Sequence, residues 1–165
     1  EVFFDDVLVP DNNLVGSEGG GWGQVTTELA FERSGPERYL SSIQLIYELV
    51  NQLSENPTER SAIGIGRLIA HLGTLRQMSM SVANMLEAGE SPNLAAALVK
   101  EVGVQFEQEI PSRAYELTGR VPLLGDENDF DQVMAYITQA SRSFSLRGGT
   151  REIMRGIIAR GLGLR

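Results

Sequence analysis

The chain has 165 residues, enough for one domain with its own core, and 42% of them are hydrophobic, as is ordinary for a globular protein. It has no cysteine, which excludes disulfides, thiolate metal sites and cysteine nucleophiles and makes the cytoplasm the expected compartment. A formal charge of −8, with Lys100 the only lysine, argues against a nucleic-acid surface or a polybasic membrane anchor, and no stretch reads as a membrane span or a signal peptide.

The chain opens on EVFFDDVLVP, where Val2 and Phe4 alternate with Phe3 and Asp5 and are followed by Val7 and Val9, the pattern of a strand. A lone strand can neither pair its edges nor bury two faces, so partner strands are expected upstream and the chain reads as a fragment. After the turn-rich PDNNLVGSEGGGWGQ, helical periodicity takes over. The first helix is expected from about Trp22 to Leu53, with Val25, Leu29, Leu40, Ile43, Tyr47 and Val50 as its buried stripe. A second begins at NPTE, with Asn56 as N-cap, Pro57 at the first helical position and Glu59 closing a capping box. Its buried face is Ile65, Ile69, Leu72, Leu75, Val82 and Leu86, and Gly89 ends it. A third starts at SPNLAAALVK, again a cap before a proline, and runs through Val102, Phe106 and Ile110 towards Gly119 with a kink at Pro111. A fourth spans Phe130 to Ser143 and a fifth begins about Thr150. The expected fold is all-α, an up-down bundle of four to five helices with one N-terminal strand left over from an upstream domain.

Glu32 is the most informative side chain. The first helix's stripe, continued through 25, 29, 32, 36, 40 and 43, carries this carboxylate onto the apolar face, whereas Glu37 falls in phase with Arg33, Ser41 and Gln44. A buried carboxylate can act as a general base, or it can be half of an ion pair with an arginine of a neighbouring helix; spacing alone leaves both open. Pro36 has no N–H for the carbonyl of Glu32, so a bend there would change the phase. The Gly148–Gly149–Thr150 turn allows close backbone approach, and the free N–H groups of the helix it opens suit an anion, although such a turn is commonly only a turn. His71, the single histidine, supports neither a triad nor a multi-histidine metal site. Gly64, Gly66 and Gly73 lie within a helical pattern and read as helix-packing positions. The acidic residues at 126, 127, 129 and 131 lack a calcium-loop pattern and read as a solvated turn.

The opening VFFDDVLVPDNNLVGSEGGGWGQVTTELAFER (residues 2–33) and the closing GGTREIMRGIIARGLGL (148–164) resemble the C-terminal half of acyl-CoA dehydrogenases, and the intervening helices are compatible with it. The resemblance implies that residues 1–20 are the end of a middle β domain and its linker, and 21–165 the C-terminal helical bundle. It further implies FAD as cofactor, an acyl-CoA thioester as substrate, a glutamate that removes the α-proton while the β-hydride passes to the flavin, a trans-2-enoyl-CoA product and an electron-transferring flavoprotein as acceptor. Many members carry the base immediately before the Gly-Thr of the closing loop, where this chain has Gly148. Others carry it on the first helix in a leucine-x-x-Glu-Arg context eleven residues after a glycine, which Gly21, Leu29, Glu32 and Arg33 reproduce. On this resemblance Glu32 is the catalytic residue, Arg33, Arg147 and Gly148 line the substrate, Gly149, Thr150 and Glu152 contact FAD, no metal is involved, and Trp22 and Arg147 sit near the pocket.

Two departures bear on assembly. The family's Arg-x-x-Phe-Gly motif after the first long helix has no counterpart in NQLSENPTERSAIGIGRL, and the glutamine of its Gln-x-x-Gly-Gly motif is replaced by Tyr115. Both motifs reach the FAD of a neighbouring subunit, so the resemblance implies an oligomer, homomeric or with a different acyl-CoA dehydrogenase subunit. A non-catalytic partner subunit and a helical interaction module without flavin are the alternatives.

Overall fold

Pro36 cuts what the periodicity joined. The computed structural model describes residues 1–125 and 128–164, and in it α1 (Gly21–Ser34) stops at Gly35; a 3-10 turn, Pro36–Arg38, follows, and α2 runs Ile43–Ser54. The single helix expected over 22–53 is therefore two, because proline cannot continue the backbone ladder and the residue before it is driven to extended geometry; Gly35 has φ −63° and ψ 160°. The break also resets the phase. Val25 and Tyr47, expected inside, are exposed, while α2 buries Leu45, Ile46 and Leu49, and α1 buries only Ala30, Arg33 and Ser34.

α3 (Glu59–Glu87) starts two residues later than the Asn56–Pro57–Glu59 pattern suggests. Its N-cap is Thr58, whose Oγ1 accepts the Ser61 N–H at 3.1 Å while Ser61 Oγ accepts the Thr58 N–H at 2.8 Å, a reciprocal box that satisfies two amides at once. Its buried positions, Ser61, Leu68, Leu75, Ser79 and Val82, fall at steps of seven, four and three, and Ile69 lies on the exposed flank. Of the three helical glycines only Gly64 is pressed, against Leu117. α4 (Asn93–Thr118) runs on through the buried Pro111 without interruption, and its N-cap, Pro92, makes no side-chain bond. α5 (Asp129–Ala140) gives way to a 3-10 turn over Ser141–Ser145, so the fourth expected helix ends as a tighter coil, and α6 is Arg151–Gly161.

The described residues thus form six α-helices and no strand. Residues 1–10 form no strand and bend at Asp6, with Phe3, Phe4 and Leu8 almost fully exposed, so the strand expected there is not formed. α4 is the centre of the bundle and packs on α1, α2, α3, α5 and α6. The main core is Leu45, Ile46 and Leu49 of α2, Leu68 and Leu75 of α3, Phe106, Ile110 and Ala114 of α4, and Phe130, Met134 and Ile137 of α5. Each fully buried large side chain contributes about 1.5–3 kcal/mol. The half-buried His71 meets Phe106 with 4.8 Å between ring centroids and the ring planes tilted by 60°. Asp129 is exposed, but at the first position of α5 rather than in a turn, and Asp131 is buried and paired with Arg120; residues 126 and 127 lie outside the described residues. Among the described residues no helix is long and apolar enough to cross a membrane.

Candidate active site

Glu32 is not buried. Its side chain, in the last turn of α1, is 42% exposed, because the chain breaks two residues further on and the stripe that would have covered it never continues. It is ion-paired all the same, with an arginine of its own segment: Arg38 Nη2 donates to Glu32 Oε1 at 2.9 Å and Arg38 Nε to the Glu32 main-chain carbonyl at 2.7 Å. Pro36 is the residue that would have bonded that carbonyl in an unbroken helix, so one guanidinium closes the helix end and holds the carboxylate. Arg38 itself is 2% exposed.

The loop before α6 meets this carboxylate. Gly148 and Gly149 have φ of +66° and +107°, in the left-handed region that favours glycine. The Gly148 carbonyl accepts Arg33 Nε at 3.0 Å, and Arg33 is buried. A Cβ placed on Gly148 would stand 3.3 Å from Glu32 Oε1 and 3.3 Å from Arg38 Nη2. A longer side chain at position 148 and the carboxylate of Glu32 would thus compete for the same space.

Arg147 lies over the Phe144 ring, 4.1 Å from its centroid, and donates to Ser41 Oγ at 3.3 Å. Thr150 stands at the N-cap of α6, but its side chain makes no bond to the amides of the first turn. Glu152 is exposed in that first turn; a bond from its own amide, helped by the Thr150 hydroxyl, holds its carboxyl below the usual carboxylate range. α6 is tied down by Glu101 of α4, which accepts from Arg151 at 3.0 Å. Arg147 turns instead to Ser41 and Phe144, Arg33 is held on the Gly148 carbonyl, and Gly148 and Arg38 meet at the Glu32 carboxylate. Trp22 lies away from it: it is 80% exposed, ten residues back along α1, about 15 Å at the helical rise. A groove of about 450 Å³ between α3 and the C-terminal part of α4, lined by Arg60, Arg67, His71, Glu109, Arg113 and Leu117 among others, touches none of these site residues.

Residues 19–163 match the family model described as acyl-CoA dehydrogenase, C-terminal domain. This chain belongs to the acyl-CoA dehydrogenase family. Among its relatives, acyl-CoA dehydrogenase FadE34 of Mycobacterium tuberculosis is 27% identical over 162 residues, covering 96% of this chain and 22% of that protein. Acyl-CoA dehydrogenase FadE29 of the same organism is 30% identical over 173 residues, covering 95% and 43%. The chain thus spans less than half the length of either relative. Its fold is similar to that of the solved structure described as "Tcur3481-Tcur3483 steroid ACAD G363A variant", with a TM-score of 0.81, 22% identity, and 99% of this chain and 45% of that one covered.

In this acyl-CoA dehydrogenase domain three charged side chains behind the site escaped the sequence reading: Arg38, Lys100 and Glu107, all buried. The signal was present for the last two. Ala96, Lys100, Gly103 and Glu107 fall at steps of four and three on α4, in phase with residues that a central helix must bury. Glu107 is fully buried, and burial raises its carboxyl to about 7 against the opposing pull of Arg147 and the Ser41 and Ser42 amides. Lys100 is also fully buried and its Nζ has no hydrogen-bond partner; burial, reinforced by the charge of Arg38, lowers it to about 8.

An unpaired buried ammonium is a stability cost, so Lys100→Met is expected to stabilise the chain by about 1–3 kcal/mol at pH 7. The sign with pH follows from proton binding. Between the folded value of about 8 and the ordinary 10.5, the unfolded chain holds the proton that the folded chain has shed, so wild-type stability rises with pH across that window. The gain from Lys100→Met should shrink correspondingly. Urea unfolding of both proteins at pH 7 and pH 10 measures it, and an equal gain at both pH values contradicts the assignment.

Proposed function

We propose that this chain is the C-terminal helical part, residues 21–165, of a longer FAD-dependent acyl-CoA dehydrogenase, with residues 1–20 completing a preceding β domain. The exposed Phe3, Phe4 and Leu8 and the fraction of its relatives that the chain spans support that division. In this reading Glu32 is the base that removes the α-proton of an acyl-CoA thioester, leading to a trans-2-enoyl-CoA, with electrons leaving to an electron-transferring flavoprotein. The observation that supports it is the 3.3 Å between Glu32 Oε1 and a Cβ on Gly148, so this carboxylate borders the space that a side chain at position 148 would enter.

The residues present fit one edge of a flavin dinucleotide. The two left-handed glycines keep side chains away from the loop, the first turn of α6 offers the amides other than that of Glu152 to acceptor atoms, and the Glu152 carboxylate can take a ribose-type hydroxyl. Gly149, Thr150 and Glu152 would hold the cofactor, which when bound supplies the hydride acceptor. Arg38 orients Glu32 by gripping Oε1 and the carbonyl behind it, so the carboxylate presents a fixed direction to the substrate's α-carbon. Arg33 and Arg147 steady the 147–148 backbone, through the Gly148 carbonyl and the Phe144 ring. Flavin absorbance of the purified full-length protein and its turnover on a panel of acyl-CoA thioesters, a steroid-derived one included because the structural neighbour is described as a steroid ACAD, test the reading. Absence of flavin, with no enoyl-CoA formed, would overturn it.

A second reading concerns assembly. Tyr115, in the place of a glutamine that reaches a neighbouring subunit's FAD, is half exposed towards the end of α4, and NQLSENPTERSAIGIGRL carries no phenylalanine, with Ile63 between Arg60 and Gly64. These residues suit a hetero-oligomer in which this subunit serves its own site while a different acyl-CoA dehydrogenase subunit supplies what it lacks. Purification of the full-length protein alone as a flavin-loaded homo-oligomer contradicts that arrangement.

A further inference from the structure

Glu107 is fully buried at the middle of α4, and nothing proposed so far uses it. A carboxylate inside a bundle costs several kcal/mol unless it is paired, and an apolar residue of the same size would serve packing as well. Its two oxygens have different partners. Oε1 accepts the Ser42 N–H at 3.2 Å, the amide at the N-cap of α2, a helix without a side-chain cap of its own. Oε2 makes no hydrogen bond and faces Arg147 Nη2 at 3.5 Å, an ion-pair distance. Arg147 in turn reaches Ser41 Oγ, so Ser41, Ser42, Glu107 and Arg147 form one node joining the break before α2, the middle of α4 and the loop before α6.

Both segments that meet at this node end at Glu32. The break carries Arg38, four residues before Ser42, which grips Oε1 and the carbonyl of Glu32. The loop carries Gly148, next to Arg147, whose α-carbon faces the Glu32 carboxylate. We propose that Glu107 is a positioning residue for Glu32: by holding Ser42 and Arg147 together it sets the gap between the Glu32 carboxylate and the Gly148 backbone. The inference rests on Glu32 being the base.

Two variants of the full-length protein separate the two oxygens. At pH 8, above the value of about 7 for Glu107, Glu107→Gln keeps an acceptor for Ser42 but removes the charge that faces Arg147; Glu107→Met removes both. Amide hydrogen exchange read by mass spectrometry is expected to quicken about tenfold over residues 145–151 in Glu107→Gln and over both 36–43 and 145–151 in Glu107→Met, with 59–87 and 129–140 unchanged. With acyl-CoA as substrate, kcat should fall by ~10–100-fold in Glu107→Gln while KM and flavin content stay as in wild type, since a misplaced base slows chemistry without altering uniform binding. Exchange that quickens equally throughout α3 and α5 marks a general loss of packing and overturns the proposal, as does unchanged exchange over 145–151. Full turnover in Glu107→Gln beside an inactive Glu32→Gln overturns this inference alone; full turnover in Glu32→Gln overturns the base reading and this inference with it.

Discussion

Glu32→Gln is expected to lower acyl-CoA turnover by ~10²–10⁴-fold with flavin content and fold intact. The change is isosteric and removes only the proton-accepting charge. Its side chain is 42% exposed, and the buried Arg38 can still donate to the amide oxygen and keeps Glu37 Oε1 at 3.5 Å as a counter-charge, so stability should move little. A structural ion pair and a base predict different results here. The first predicts a small loss of stability with turnover kept, the second a collapse of turnover with stability kept. The shared space around residue 148 provides a sharper test. Glu32→Gly leaves a gap beside Gly148, and adding Gly148→Glu returns a carboxylate to it from the other side. That residue must tolerate φ of +66°, a conformation costing about 1–2 kcal/mol for a side chain with a Cβ. The double variant is nevertheless expected to recover turnover by about tenfold or more over Glu32→Gly. Turnover measured by enoyl-CoA formation decides it, and wild-type rates in Glu32→Gln remove Glu32 from the chemistry.

Gly103→Ala is expected to destabilise the fold by about 1–3 kcal/mol and to loosen Arg38. Gly103 faces the 36–42 break, and a Cβ there would come within 2.2 Å of the Arg38 carbonyl oxygen, a backbone atom that cannot rotate away. Alanine improves helix propensity by about 1 kcal/mol over glycine, so the clash has to outweigh a gain. Gly73 supplies the contrast: it too lies inside a helix, but an added Cβ would meet nothing within 4 Å, and Gly73→Ala is expected to stabilise by up to about 1 kcal/mol. Opposite shifts of the urea midpoints are the result to look for. Because Arg38 closes α1 and holds Glu32, Gly103→Ala should also lower turnover, whereas Gly73→Ala should not.

The fold was legible wherever a local rule decides it. Gly89 and Gly119 follow the ends of α3 and α4, Thr150 opens α6, and Leu75, Val82, Phe106 and Ile110 lie inside as their spacing requires. The stripe through α1 and α2 was not legible, because it assumed one phase across Pro36; once the helix stops, Leu45, Ile46 and Leu49 choose their own face. The N-cap of α3 was misplaced because Asn56–Pro57 and Thr58–Ser61 both carry capping chemistry, and only the second closes in both directions. Around the candidate site, Glu32, Arg33 and the glycines of the 148–149 turn could be named from sequence, but the partner of Glu32 was sought on another helix. It is Arg38, six residues on, brought back by the same proline that ended the helix.

By itself the sequence determined the family and the helical class, since these depend on residue types at fixed separations along the chain, and it nominated Glu32 as the candidate base. Only the tertiary structure decided that Glu32 is half exposed, that Arg38 is its clamp, and that Lys100 and Glu107 carry charge inside the bundle. Exposure and pairing depend on which helix faces meet, and those faces are set across the 35–42 break, where periodicity is interrupted and no longer carries the phase from one helix to the next.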